Sequence, residues 1–451
     1  MSDRRTRVLT VALAVGVAVA FADSSIVVLA LPDLYGEFDT TIVGVSWVIT
    51  AYNLVVAVAA FCLVPFARRL QPAVTGTVGV LVFAVASAGC ATSWQLEMLI
   101  AFRCLQGLGG ALLLVSALRG LAALTGSRVQ GALIWTTAGT IGAAAGPALG
   151  GVLTQLFDWR AIFAVQVPLA LVALAAMLDA RVKSLPPEPA TASHRPHAIA
   201  ADTGLGLVFG ALVGALFLSV LLVITVWSIE PIVGAVIVSA LPVAAFAVRP
   251  LGAALPVSTA AAGGALLLAG GLVSLALLPR ISELLVALAL AFCGAGLGLA
   301  VPALTGEALD PEGRATRSGL MTVGARHAGL VLALALIAPL LSQTLSGSDD
   351  KALRAGAQVV LEGDISLAQK VPIAIDLRGA LADAKQGEVP DLGKPFDERG
   401  AGSDARLRTL RDDLITTLES VVTRGFRSSF ALSALFAALA VLPASRLRRA
   451  A

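Results

Sequence analysis

Asp23 is the one acid inside an apolar run that extends from Val8 to Leu31. A carboxylate in such a run costs a few kcal/mol by membrane-insertion scales, roughly 2.5–3.5 for a charge at a helix centre, so it marks a functional position. The chemistry it suits is the uptake and release of a proton. A second charge, Arg103, stands in the run Leu96–Leu118, within Arg103-Cys104-Leu105-Gln106-Gly107-Leu108-Gly109-Gly110-Ala111. Arg103, Gln106, Gly107 and Gly110 recur at i, i+3, i+4 and i+7, so one helix face is first polar and then bare. Each charge lies about eight residues from the same side, roughly 12 Å deep at 1.5 Å per residue. Equal depth makes Asp23 the expected partner of Arg103. The bland alternative is a static pair that holds two helices together.

Three further groups carry polar or conformational chemistry. Gly142, Gly146 and Gly150 recur every four residues, with Pro147 and Gly151 beside them. That spacing makes a smooth packing face, and Pro147 removes a helix hydrogen bond and predicts a kink that suits a gating point. Tyr52, Asn53, Gln106, Trp135 and Arg326 are the polar-tipped side chains expected to face a cavity. His327, next to Arg326, reads as a packing histidine. Cys62, Cys90, Cys104 and Cys293 all sit in apolar runs with neither zinc nor disulfide spacing, so they read as small hydrophobes. No phosphate loop, metal cluster or cofactor motif occurs; Gly294-x-Gly296-x-Gly298 has no strand before it and reads as helix packing.

The elements that must position these residues follow from composition. The chain has 451 residues, of which 57% are apolar and 14% charged; an average soluble protein carries about 25% charged residues. Of the 29 acids, 14 lie between positions 345 and 424. The rest of the chain is too apolar for a soluble enzyme, a nucleic-acid binder or a disordered protein. A bilayer core needs about 20 apolar residues per helix. Twelve runs qualify: Val8–Leu31, Val43–Phe66, Ala73–Ala91, Leu96–Leu118, Val129–Leu153, Ala161–Leu178, Gly204–Val226, Pro231–Val248, Val257–Leu278, Ser282–Leu304, Ser318–Leu341 and Phe426–Leu442. They are called spans 1 to 12. The basic start, Met1–Arg7, imitates a signal peptide, but no small-residue cleavage site comes after it, so the first run reads as a retained span.

Arginine and lysine predict the orientation. Arg4/Arg5/Arg7, Arg68/Arg69, Arg119/Arg128, Arg181/Lys183/Arg195, Arg249, Arg314/Arg317 and Arg446/Arg448/Arg449 fall on alternate connections. Positive loops face the cytoplasm, so both termini are expected there, in a multi-pass plasma (inner) membrane protein. The expected organisation is an N-terminal six-helix half (1–180), a Pro-rich cytoplasmic linker (181–203), spans 7–11 (204–344), an external insert (345–424), and span 12 with its tail (425–451). Within the insert, Asp349–Leu361, Ile373–Ala384 and Arg406–Thr423 have helical apolar spacing, and Pro390–Pro395 breaks the chain between them. A small helical cap over the outer mouth is the expected result.

These motifs resemble the major facilitator superfamily, specifically its drug:proton antiporter group. Asp23-Ser-Ser-Ile-Val-Val-Leu-Ala-Leu-Pro32 is similar to that group's first-span motif. Arg103…Ala111 is similar to its fourth-span motif, and Gly142-x-x-x-Gly146-Pro147-x-x-Gly150-Gly151 to its fifth-span antiporter motif. Asp158-Trp159-Arg160 resembles the segment that succeeds that motif, and Ser318-Gly319 with Arg326 resembles the eleventh-span pattern. The resemblance is dense over residues 8–180. It implies an all-α fold of two six-helix halves, proton coupling through Asp23 and Arg103, and export with gating through Gly146 and Pro147. One loop departs. Val64-Pro-Phe-Ala-Arg-Arg-Leu-Gln-Pro72 lacks the acid and both glycines with which the family latches the cytoplasmic side, leaving Arg68 and Arg69 for that work.

The reading is a secondary transporter exporting hydrophobic or amphipathic small molecules against protons. It needs the bilayer, a small-molecule substrate and protons, and no nucleic acid. The rivals are a lipid or lipid-conjugate transporter, and a non-transporting receptor or scaffold that works through the insert. The insert's role stays open between substrate handover, docking of a periplasmic or extracellular partner, and shielding.

Overall fold

The computed structural model describes residues 2–188, 197–278, 281–383, 396 and 404–447. All the regular elements among them are helical. Among the described residues eleven helices are long and apolar enough to cross a membrane, and a bent pair makes a twelfth. Each overlaps one of the expected runs over nearly the whole length of that run. The bent pair is span 5, Arg128–Leu156, which turns by 42° between Ala143 and Ala145, next to Gly146 and Pro147. The kink expected from Pro147 is therefore present.

Spans 3 and 4, 1 and 5, and 2 and 4 pack together in the first half; spans 9 and 10, 9 and 12, and 7 and 11 do so in the second. Across the seam between the halves span 2 packs on span 11 and span 5 on span 8, and span 4 makes a lesser contact with span 11. Small residues permit these approaches. At Gly142 and Gly150 an added Cβ would run into the backbone carbonyls of Ala18 and Ile26 in span 1. At Gly146 it would meet Ser25 Oγ. Side chains that face outward are apolar, as with Leu133, Val236, Leu284, Phe292 and Leu435, which is the surface that hydrocarbon accepts.

Two boundaries differ from expectation. Span 7 starts at Ala198, six residues before Gly204, so the C-terminal end of the expected linker is helix. Span 11 does not stop near Leu341. It continues as one helix from Ala315 to Glu362. The Ser-Gly-Ser-Asp-Asp stretch after Leu345 reads as an exit, but the helix runs through it. The insert is thus an extension of spans 11 and 12 more than a separate cap. Leu367–Asp383 and Ala405–Gly425 complete it, and the latter leads into span 12, Arg427–Ser445. Its core is Ala352, Val360, Ile373, Leu377, Phe396, Leu407, Leu410, Leu414, Leu418 and Val421. The leucine stripe expected on Arg406–Thr423 is buried there. Residues 390–395 lie outside the described residues, as do Ala384, Arg195, Arg448 and Arg449.

Candidate functional site

Asp23 and Arg103 meet. Both side chains are fully buried. Arg103 Nη1 donates to Asp23 Oδ2. The guanidinium also donates through Nη1 to Gln106 Oε1 (2.7 Å), through Nε to the Val48 carbonyl (2.8 Å) and through Nη2 to the Asp23 carbonyl (3.3 Å). Its central carbon lies 4.6 Å from the centre of the Tyr52 ring and 5.6 Å from that of Phe163. One cation thus joins spans 1, 2, 4 and 6. Isolated ions are rarely buried, because desolvation costs several kcal/mol each, and this shell of acceptors and rings offsets the cost.

Gln106 completes the cluster. Its Nε2 lies within hydrogen-bond distance of Asp23 Oδ1 (3.2 Å), Ser87 Oγ (2.9 Å) and Gln166 Oε1 (2.8 Å), so its two hydrogens are shared among three acceptors. The sequence pattern aims this side chain at a substrate cavity. It sits instead in the polar knot, because three acceptors converge on its amide. Ser87 and Gln166 carry no sequence signal of their own.

The remaining polar groups gather one layer away, at the seam. Tyr52 Oη donates to the Ala20 carbonyl (2.7 Å). Asn53 Oδ1 lies 2.7 Å from His327 Nδ1, a bond between spans 2 and 11. His327 Nε2 is buried with no partner among the described residues, so the expected packing histidine is satisfied on one side only. Arg326 stacks between Phe21 (4.0 Å) and Phe209 (3.8 Å), one ring from each half. Trp135 donates from Nε1 to the Leu114 carbonyl (2.9 Å) and meets Phe21 edge-on. Trp135 and Arg326, with Phe21, Phe209 and Thr322, line a narrow central cavity of about 10 Å³. That is room for roughly one water. Tyr52 and Asn53 border this layer without lining the cavity.

The halves also touch at both ends. At the face that carries the termini, Arg128 Nη1 donates to the Glu312 carbonyl and Glu188 Oε1 accepts from Thr316 N. Glu188 belongs to the expected linker, yet it is buried against the first turn of span 11. A carboxylate there satisfies a backbone N–H that has no helical partner. Arg68 and Arg69 are exposed and carry no ion pair among the described residues. At this face Glu188 fastens the end of the linker to the second half. At the opposite face, a Cβ on Gly151 would stand 2.9 Å from both Ala235 and Leu29. The same face holds a clasp that sequence reasoning missed: Arg160 Nη2 (2.8 Å) and Trp159 Nε1 both donate to Glu37, and Arg160 lies 4.2 Å from the Trp159 ring.

Sequence reasoning also missed an acid buried within span 7. Asp202 of span 7 accepts a hydrogen bond from Thr322 Oγ1 (2.9 Å) and makes no ion pair among the described residues. It precedes Gly204, the start of the apolar run, so by hydropathy it falls in the linker. Among the described residues no three metal-ligating side chains cluster, and all four cysteines are free.

The sequence profile of the Major Facilitator Superfamily matches residues 13–346. The chain belongs to that superfamily. By that membership it is a multi-pass membrane protein of a transporter superfamily. Similar curated proteins include the tetracenomycin C resistance and export protein of Streptomyces glaucescens, 39% identical over 184 residues, covering 39% of this chain and 34% of that protein. The methylenomycin A resistance protein of Bacillus subtilis is 35% identical over 167 residues, 36% of each chain. The drug efflux pump JefA of Mycobacterium tuberculosis is 31% identical over 188 residues, 41% of this chain and 37% of that one. The matched stretch thus spans about a third of each relative's length. In fold, the chain is similar to the crystal structure of a bacterial homologue of the human lysosomal transporter Spinster, inward-facing and unoccupied. The TM-score is 0.61 at 16% identity, with 97% of each chain covered. In the present structure, by contrast, the two halves touch at both faces.

Proposed function

We propose that this transporter exports hydrophobic or amphipathic small molecules in exchange for protons. Asp23 carries the proton and Arg103 competes with it. The observation that carries the reading is the fully buried Asp23–Arg103–Gln106 knot at the junction of four spans. A carboxyl there alternates between two arrangements of the site: ionised and paired with Arg103, or protonated with Arg103 turned to the Val48 and Asp23 carbonyls. Movement of span 1 against span 4 changes the balance between them. The relatives' names, resistance and export proteins, support export of drug-like molecules by this chain too.

The knot and the rings around Arg326 lie in adjacent layers and share Tyr52 and Phe21. Tyr52 bonds span 1 and stacks on Arg103; Phe21 stacks on Arg326. A substrate wedged between Phe21 and Phe209 would therefore shift span 1 and disturb the pair. Gly142, Gly146, Gly150 and Gly151 give span 1 its track along span 5, and Pro147 the bend. Both termini face the cytoplasm of the plasma membrane, and the insert faces outward.

The decisive measurement is substrate flux in inside-out vesicles with an imposed pH gradient. Asp23→Asn is expected to lose gradient-driven uptake while purified protein keeps substrate binding. Flux by Asp23→Asn at the parental rate refutes the coupling role. The orientation is tested on a background lacking the four cysteines. A thiol at exposed Ser346 should react with an impermeant reagent on whole cells, and one at exposed Ser184 should not.

A further inference from the structure

Above the membrane end of spans 11 and 12 lies a cleft of about 700 Å³. Its walls are the extended span-11 helix and the end of the Ala405–Gly425 helix with the first turn of span 12. Four cations line it: Lys351 and Arg354 on one wall, Arg424 and Arg427 on the other. All four are exposed, and none makes an ion pair among the described residues. Gln343 and Ser428 form the lower rim. No described residue of the lining is acidic.

This arrangement is costly without a ligand. Lys351 and Arg354 are three residues apart, as are Arg424 and Arg427, and like charges at that helical spacing repel. Across the cleft each pair faces the other. Carboxylates are not scarce nearby: elsewhere in the insert Arg406 pairs with Asp364 (3.4 Å) and Arg411 with Asp412 (3.1 Å). The described lining of this cleft offers none.

Its height identifies the ligand. Leu340 and Ala431 are the last apolar residues of the two spans that are not buried below the cleft. Gln343 and Arg427 stand three and four residues beyond them, about 5–6 Å along the helices. The lower rim therefore sits in the headgroup layer, which adds roughly 5–8 Å to each side of the hydrocarbon core. Basic clusters at that level attract anionic headgroups. We infer that the cleft binds the phosphate headgroup of an anionic phospholipid, with Arg424 and Arg427 on the phosphate and Lys351 and Arg354 on the outer part of the headgroup. The acyl chains lie along Leu340 and Ala431. Thr423, next to Arg424, accepts a hydrogen bond from Trp227 Nε1 at the end of span 7 (3.0 Å), so an occupied cleft is coupled to the second half of the transporter.

The test uses the full chain in detergent. Native mass spectrometry measures retention of phosphatidylglycerol against phosphatidylcholine. The parent is expected to retain the former selectively. Arg424→Gln/Arg427→Gln should weaken retention by about 30-fold, and the four-fold variant with Lys351→Gln and Arg354→Gln by more. Arg378→Gln/Arg408→Gln, exposed cations of the insert outside the cleft, should retain lipid as the parent does and controls for net charge. All six positions are exposed, so the variants fold. Glycerol phosphate at millimolar concentration should not displace the lipid. Equal retention by the four-fold variant, or equal loss in the control, overturns the proposal. So does displacement by glycerol phosphate, which would make the ligand a soluble phosphate ester.

Discussion

Removing Arg103 should be the most damaging single change in the first half. Its guanidinium makes four hydrogen bonds, to Asp23 Oδ2, Gln106 Oε1 and the Val48 and Asp23 carbonyls, and stacks on Tyr52. Arg103→Ala strands the Asp23 carboxyl in a fully buried site where the Gln106 amide is its remaining side-chain donor. Breaking one side of a buried pair costs about 3–5 kcal/mol. Asp23→Asn strands the opposite charge and should cost a similar amount, less what Asn recovers through Gln106. In the double variant Asp23→Asn/Arg103→Ala no charge remains. Its loss should be smaller than the sum of the singles by about 2–3 kcal/mol, the coupling expected of residues in one network. Arg103→Lys should fall between parent and Arg103→Ala, because an ammonium cannot reach Val48, Gln106 and Asp23 together. Thermal unfolding in detergent, recorded on all four variants and the parent, gives the cycle. Flux in a pH gradient is read in parallel, and the double variant should be uncoupled. Additive losses would refute the reasoning, because they would mean that the two charges do not stabilise each other.

Three other outcomes rest on particular contacts. Gly150→Ala should lower stability by about 1–3 kcal/mol, the usual cost of overpacking, because its Cβ meets the Ile26 carbonyl; Gly263→Ala, inside a helix with open space around it, should raise stability by up to about 1 kcal/mol in the same melting experiment. Arg181 holds the Asp179 carboxyl below the usual carboxylate range through a hydrogen bond (2.9 Å). A depressed folded value stabilises above the unfolded pKa, about 3.9, and the gain vanishes as pH falls through the folded value. Asp179→Asn should therefore melt below the parent at pH 7, and the difference should shrink as the pH is lowered through the acid range. Deleting 348–424 should leave a folded transporter, since Thr344 Oγ1 already bonds the Gly425 carbonyl (2.9 Å) and a short linker can close the gap. If that protein inserts and binds substrate but does not transport, the insert is part of the working path.

The spans are legible in the sequence because the bilayer demands long apolar runs and little else supplies them. The Asp23–Arg103 contact is legible because depth in a membrane is a coordinate that can be counted along the chain. The contacts that escape depend on partners distant in sequence. Gln166 and Ser87 have value only once Gln106 lies between them. Glu37 reads as a loop acid until Trp159 and Arg160 close on it. Asp202 is hidden because it stands just ahead of an apolar run. The continuation of span 11 is hidden because polar residues end a hydropathy run without ending a helix.

Glu188 has a consequence for how far this machine can travel. It sits on the strap that joins the two halves, yet it is fastened to the start of span 11, within the half towards which that strap leads. To part the halves at the terminus-bearing face, the Glu188–Thr316 fastening must come undone. The linker end is then a brake as well as a tether.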